Sequence, residues 1–519
     1  MKYFRFAIIM IFMTSLNTVS SLAAPILISV WSQAGQTFGA DKIFTICIVL
    51  ILTFILNIVL IYLRESFAVN FNVQQGKKMF SIFWNMNYDD ISSSGPTNIV
   101  EKIIMAVNNN YRYYTNDAIN IWSNLFILLI LLLMTFNKNY LIGIILLLLV
   151  PINYFGYKWL NSELLERSKN MQEKTSQGMQ SLISISGQID YIKQSSNYDV
   201  ILQKIEKPLI KMYKSMSNVN KFSQMVNQLF VNINNGSRIL IMIMVVYDYA
   251  ANSTNMSNLI FFTVILPIYF SAITNIVSAN ISKRDLTVSK EFVRWMKKCR
   301  EEDGTIQLEE INTIEWSIKE LKIGDKILAQ NIEAIFKKGD IVWIKGKSGC
   351  GKSTLLKLLP KFRLTDTIRI NDIDIRKYSN ESVRNHINYL SQNVPIIQGT
   401  LLENLFLNKE YSKSLENKML ADPLLKSILS NKQISTEIYE NGSNLSGGEK
   451  QKIAFIRAIY DEAEVLILDE IASNIDTQSA QDIYNRIKEL RNEKIIFIIS
   501  HNQLPDTFEN QTIDLYNFQ

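Results

Sequence analysis

Long apolar runs fill the first half of this chain, and no water-soluble fold of its size has a core large enough to bury them all. Residues 6–31, 43–63, 121–136, 140–160, 236–251 and 259–279 each read as an apolar stretch with few charges. A helix needs roughly 20 apolar residues to cross the hydrocarbon layer, and the second, fourth and sixth stretches meet that cleanly. The fifth is the weakest. Its apolar centre, ILIMIMVV, is short, so its helix is expected to extend back through the Asn-rich residues before Gly236. One such stretch could be a buried helix of a soluble domain. Six, with so little polar chain to cover them, predict an all-α membrane domain of six transmembrane helices. The first has a rival reading as a secretory signal, because Lys2 and Arg5 precede it and Ser21-Leu22-Ala23-Ala24 offers small residues. Its apolar residues continue past Pro25 to Trp31, longer than a typical signal region.

Short loops join the stretches in pairs, and two long connections, about 64–118 and 161–235, separate the pairs. Lys and Arg are sparse in the short loops (Lys42, Lys138) and frequent in the long ones, as at Lys193, Lys204, Lys207, Lys211 and Lys214. The positive-inside tendency puts the long connections, and with them both termini, on the cytoplasmic side of a cell membrane.

The composition then changes. Residues 1–285 are expected to form the membrane domain, 286–310 a charged linker, and 311–519 a soluble α/β domain of alternating charged and apolar segments. Within it, GKSGCGKS from Gly346 to Ser353 fits the phosphate-loop pattern G-x-x-x-x-G-K-S, and the apolar run 341–344 before it reads as the strand such a loop needs. Gly349 and Gly351 let the backbone wrap around phosphate oxygens without Cβ clashes. Cofactor binding is therefore assigned to Gly346, Lys347, Ser348, Gly349, Cys350, Gly351, Lys352, Ser353 and Thr354. Lys352 would reach the β and γ phosphates of ATP, and the Ser353 hydroxyl would hold Mg²⁺. Farther on, VLILDE reads as a buried strand that delivers Asp469 to a water-bridged Mg²⁺ contact and Glu470 to the attacking water. The fold class is thus a membrane helical domain followed by an α/β P-loop NTPase.

Leu445-Ser446-Gly447-Gly448-Glu449 closely resembles the LSGGQ signature of ATP-binding-cassette (ABC) proteins, with Glu in place of Gln at the fifth position. Read from the residues alone, Ser-Gly-Gly before a helical stretch is an N-cap whose backbone can approach an anion closely. The resemblance implies more. In that family the signature of one subunit covers the γ-phosphate held by the other, so Ser446, Gly447 and Gly448 would act in trans and two nucleotide domains are needed. Gln392, in YLSQNVPIIQG, sits where the family's Q-loop couples the nucleotide site to the membrane domain and contributes to the metal site. His501, after IIFIIS, matches the switch histidine, and Asp476, in SNID, the D-loop. Glu470, His501 and Gln392 are the catalytic candidates. His386 has no motif around it and reads as a surface or helix-packing residue. The segment 436–442, TEIYENG, looks like a stretch found in ABC exporters, and the six-helix layout resembles their membrane domain, with cytoplasmic extensions around 64–118 and 161–235.

Two departures stand out. The family usually places an aromatic residue upstream of the phosphate loop to stack on adenine, but LKIGDKILAQ (321–330) has none and Trp316 lies earlier. The chain also stops soon after its last expected strand. A net charge of +6 does not point to nucleic acid, because the basic residues sit largely in the long connections, where topology explains them. Cys47, Cys299 and Cys350 have neither metal nor disulfide spacing.

These features imply an ATP-driven export pump working as a dimer, either a homodimer or a pair with a related half-transporter. Few charges lie in the apolar stretches, Asp248 being the main exception, which suits a peptide or other amphipathic cargo. No cysteine precedes the first stretch, so a fused leader-cleaving cysteine protease is not expected. Lipid or lipid-linked glycan flipping is the alternative, and an ATP-gated channel or regulator a third reading.

Overall fold

A computed structural model describes the chain except residues 1–2, 34–38, 252–255, 324–325, 408, 473–474, 501–507 and 516–519. It divides into two compact units, residues 1–86 with 90–300, and residues 87–89 with 301–519.

The first unit is helical. In order it contains α1 (Tyr3–Gln33), α2 (Ala40–Trp84), α3 (Tyr88–Ser94, shared with the second unit), α4 (Pro96–Arg112), α5 (Ala118–Lys138), α6 (Tyr140–Ser186), α7 (Ile189–Gln194), α8 (Tyr198–Ala250) and α9 (Met256–Lys298). A π-helical turn at Tyr113–Asp117 joins α4 to α5, so that 96–138 is one continuous helix. Among the described residues five helical segments are long and apolar enough to cross a membrane: α2, the joined α4–α5 helix, 140–160 of α6, α8 and α9. Among the described residues of α1, Tyr3–Asn17 is apolar. Only 6% of the most apolar window of α2 is buried inside the protein. Exposing that surface to water would cost about 25 cal/mol per Å², a penalty that lipid removes.

The weak fifth stretch lies inside the single helix α8, so most of 198–235 is helical as well. Likewise α9 runs unbroken through 286–298, the first half of the expected linker. The reason is packing: Met296 is buried in a cluster with Ile99, Ile103 and Met79, and Phe292 and Trp295 lie against it. Pro151, Pro208 and Pro267 interrupt the backbone hydrogen bonding of α6, α8 and α9. Leu131, Ile142, Leu266 and Tyr269 anchor the core between α5, α6 and α9, where the Tyr269 hydroxyl donates to the Leu146 carbonyl at 2.8 Å.

The second unit is α/β. Its elements are β1 (Thr313–Ile323), β2 (Lys326–Lys337), β3 (Ile341–Lys345), α10 (Lys352–Leu356), β4 (Ile368–Ile370), β5 (Ile373–Asp374), α11 (Asn380–His386), β6 (Ile387–Leu390), β7 (Gly399–Thr400) and α12 (Leu401–Leu405). There follow α13 (Lys413–Ala421), α14 (Pro423–Leu429), β8 (Glu437–Ile438), α15 (Gly447–Ile459), β9 (Val465–Asp469), α16 (Thr477–Leu490), β10 (Ile495–Ile499) and β11 (Gln511–Asp514). A parallel sheet has the order β11-β3-β10-β9-β6, and an antiparallel sheet the order β2-β1-β4-β5. Trp316 of β1 stacks on Phe497 of β10 at 5.5 Å and meets Phe336 edge-on, tying the two sheets into one core. The second face of the parallel sheet packs against α14, α15 and α16 through Leu425, Ile453, Ile456 and Ile483.

Candidate nucleotide site

Every residue of β9 and β10 is buried, which is why both read as uninterrupted apolar runs. Ile344 of β3 pairs with Ile499 of β10, and Ile499 pairs with Asp469 of β9. The phosphate loop and the two acids after β9 therefore leave the sheet along one carboxyl edge, where parallel α/β sheets bind ligands.

In the loop, Gly346, Gly349 and Gly351 have φ of 154°, 79° and 105°, which side chains rarely tolerate. A Cβ on Gly346 would lie 2.7 Å from Cys350 Sγ and 3.2 Å from Leu515 Cβ, whereas one on Gly349 would meet nothing within 4 Å. The loop is thus closed on its sheet side and open on its outer side, where Lys347, Ser348 and Gly349 are exposed. Lys352 is buried, and its Nζ donates to the carbonyls of Gly346 at 2.8 Å and Lys347 at 3.0 Å, which lays the ammonium group back across the loop. Ser353 and Thr354 follow it on α10, half-buried. Buried Cys350 fills the space under Gly346.

Asp469 is buried and accepts a 3.0 Å hydrogen bond from the Tyr389 hydroxyl. Burial, together with the Asp469 carboxylate, pushes the Tyr389 phenol far above its ordinary value, so Tyr389 stays a donor. Glu470 is non-glycine at φ 57°, and its N–H continues the sheet by donating to Ile499 at 3.0 Å. Its carboxylate accepts from Gln392 Nε2 at 2.7 Å. A hydroxyl, a carboxylate and a side-chain amide are the hard oxygen donors that suit Mg²⁺, and the open outer side of Gly349 leaves room for phosphate, so the residues fit a Mg²⁺-nucleotide.

Ser446 caps α15, and Glu449 closes the cap: Glu449 N–H donates to Ser446 Oγ at 3.1 Å while Ser446 N–H donates to Glu449 Oε2 at 2.7 Å. Lys432 Nζ lies 2.5 Å from the other Glu449 oxygen. This accounts for Glu at the fifth signature position, since it serves the cap as Gln would and its charge is balanced. Ser446 and Gly447 are exposed and Gly448 half-buried at the start of α15. Asp476 caps α16 by accepting from Ser479 N–H at 2.9 Å. His501, Ser473 and Asn474 lie outside the described residues. His386 contacts the Leu308 carbonyl at 3.0 Å and Glu464 at 3.2 Å, a packing role. Buried Trp316 has no face to offer adenine. Sequence reasoning missed Tyr389 and Lys432. Tyr389 stands three residues before Gln392 on an apolar strand, a place where a lone phenol needs a partner.

Residues 329–473 match the family model described as ABC transporter. The whole chain superimposes on a bacterial Atm1-family ABC exporter solved with ATP bound, with a TM-score of 0.85, 16% identity and coverage of 99% of this chain and 93% of that one. This chain has the fold of an ABC exporter. It is 32% identical over 268 residues to the SPbeta prophage-derived sublancin-168-processing and transport ATP-binding protein SunT of Bacillus subtilis, a match covering 50% of this chain and 37% of that protein. It is 32% identical to the lactococcin-A transport/processing ATP-binding protein LcnC of Lactococcus lactis, over 47% of this chain and 36% of that relative. The chain thus spans just over a third of the length of the first curated relatives it matches. It is also 24% identical to the ATP-dependent lipid A-core flippase of Aliivibrio fischeri over 93% of this chain and 84% of that one.

Proposed function

We propose that this half-transporter is an ATP-driven exporter of a peptide or other amphipathic compound, working by alternating access as a dimer. The observation that carries the reading is that one chain joins five membrane-length helices to a parallel sheet edge bearing the phosphate loop, Asp469 and Glu470. Peptide cargo is supported by the likeness of about half of the chain to proteins named for sublancin and lactococcin transport. Both Glu470 and the signature are intact, so a homodimer with two equal sites is the simplest assembly.

When bound, Mg²⁺-ATP supplies the phosphoanhydride whose cleavage drives the cycle. Around it, the loop from Gly346 to Thr354 would cradle the phosphates, and Lys352 Nζ would exchange its carbonyls for the β and γ oxygens. Ser353, Gln392 and Asp469 would hold the metal directly or through water. Glu470 would orient and deprotonate the attacking water, His501 would serve as the switch histidine, and Ser446, Gly447 and Gly448 would close the site from the second subunit. Six membrane spans with both termini in the cytoplasm keep every one of these groups where ATP is.

Lipid A or lipid-linked glycan flipping is the second reading, favoured by the near-full-length likeness to a lipid A-core flippase. One assay separates the two. Inside-out vesicles given ATP and a cell-derived peptide mixture should accumulate peptides with the wild type and not with Glu470→Gln. ATP hydrolysis with no peptide gain, and with labelled lipid moving between leaflets, would replace export by flipping.

A further inference from the structure

Two asparagines lie buried between the membrane-spanning parts of α6 and α8. Asn153 and Asn234 are each 2% exposed. A Cβ on Gly156 would lie 3.1 Å from the Phe230 ring, and one on Gly178 3.5 Å from the Pro208 carbonyl, so the two helices run antiparallel in a fixed register. Asn153 stands three residues before Gly156 and Asn234 four after Phe230, which puts both on the facing stripes at one level. Toward the start of α6, Ile142, Leu146, Ile241 and Val245 belong to one apolar cluster. Toward its middle, Leu164, Val226 and Phe230 belong to another. The two amides interrupt an otherwise apolar seam.

Their hydrogen bonding is incomplete. Asn153 Nδ2 donates to the Leu149 carbonyl at 2.8 Å, but Asn153 Oδ1 has no partner. Asn234 has none at either end of its amide, and among the described residues no other buried side-chain amide is so placed. A partner subunit cannot reach side chains this deeply covered, and hydrocarbon offers no hydrogen bond. A bare carboxamide in an apolar seam is costly, which is why such groups in folded proteins are paired or hydrated. Internal water persists where a site is polar and gives each molecule about two to four partners. Three orphan atoms on two facing amides meet that condition, and the apolar clusters on either side do not.

We infer that internal water bridges Asn153 and Asn234. One molecule that donates to Asn153 Oδ1 and accepts from Asn234 Nδ2 joins the helices, and Asn234 Oδ1 accepts an O–H of a second. The bridge pins α6 against α8, because sliding either helix by one turn would set each amide against apolar side chains.

The test is hydroxyl-radical footprinting of the full chain in maltoside micelles, by brief X-ray exposure and mass spectrometry. Radicals formed from bound water label the side chain beside it even where bulk solvent does not reach. Phe230, 7% exposed and one turn from Asn234, should be labelled several-fold faster than Phe262, buried within the first apolar cluster. In Asn153→Leu/Asn234→Leu the Phe230 rate should fall to that of Phe262. Melting in the same micelles gives a second readout. Each single leucine variant should melt lower, because it orphans the opposite amide, and the double variant should recover most of the loss. Phe230 labelling that is unchanged in the double variant, or no faster than Phe262 in the wild type, would overturn the water. Single variants that each melt higher, with gains that add, would reveal two separate bare amides and overturn the bridge. The footprint uses only the wild type and the double variant, so it decides the question even where a single variant fails to fold.

Discussion

Gln392 Nε2 donates to Glu470 Oε2 at 2.7 Å while Glu470 itself sits in the left-handed region, at φ 57°. A non-glycine residue held there stores about 1–3 kcal/mol of strain, which persists where function demands the geometry. The expected consequence is a trade between stability and activity. Glu470→Gly should unfold at or above the wild-type temperature while losing hydrolysis, and a melting point several degrees lower would contradict it. Glu470→Gln should keep nucleotide binding and lose about 10²-fold or more in phosphate release.

Tyr389→Phe removes the hydroxyl that donates to Asp469 Oδ2 but keeps the ring packed edge-on against Phe362 at 6.0 Å. The carboxylate then loses a competitor of the metal. Half-saturation of ATPase activity should shift to lower Mg²⁺ by a few-fold, with unfolding temperature nearly unchanged. A large loss of stability instead would make the hydroxyl a structural anchor.

Gly346 and Gly349 should respond differently to alanine. Gly346→Ala drives a methyl group into Cys350 Sγ and Leu515, while Gly349→Ala suffers only backbone strain. Nucleotide affinity should fall further in the first, and Cys350→Ala should recover part of that loss only in the Gly346→Ala background. A double-mutant cycle with no coupling would exclude the clash.

Burial raises the Glu449 pKa, but Lys432 and the Ser446 N–H more than offset it and hold the carboxyl below its ordinary value. A depressed folded pKa stabilises above the unfolded pKa, and that contribution is lost as pH falls through the folded value. Melting temperature should therefore drop on the acid side of the ordinary carboxylate range. Glu449→Gln, which retains the cap, should flatten that acid limb and leave hydrolysis at neutral pH within about twofold of the wild type. An unchanged acid limb would show that other carboxylates control it.

Lys352→Ala should abolish nucleotide binding in an equilibrium assay with a fluorescent ATP analogue, since the ammonium at 2.8 Å from the Gly346 carbonyl has no substitute at the loop.

The fold was legible where chemistry repeats. Apolar length marked the helices, and uninterrupted Val465–Asp469 and Ile495–Ile499 announced strands buried on both faces. Boundaries were harder, because α9 carries its charges on one side of a helix whose other side, through Met296, is buried, so a charged stretch read as linker is helical up to Lys298. Within the site, glycines and acids are visible by spacing, but Tyr389 and Lys432 act through contacts with residues 80 and 17 positions away, which no local pattern encodes.

Trp316 is spent on the core, stacked against Phe497 between the two sheets, and residues 317–330 that follow it bring no other ring. If the phosphate loop supplies the main hold on the nucleotide, the site has little with which to tell one purine from another. GTP should therefore drive turnover nearly as well as ATP, and the working rate would follow the total purine triphosphate supply of the cell instead of its adenylate charge.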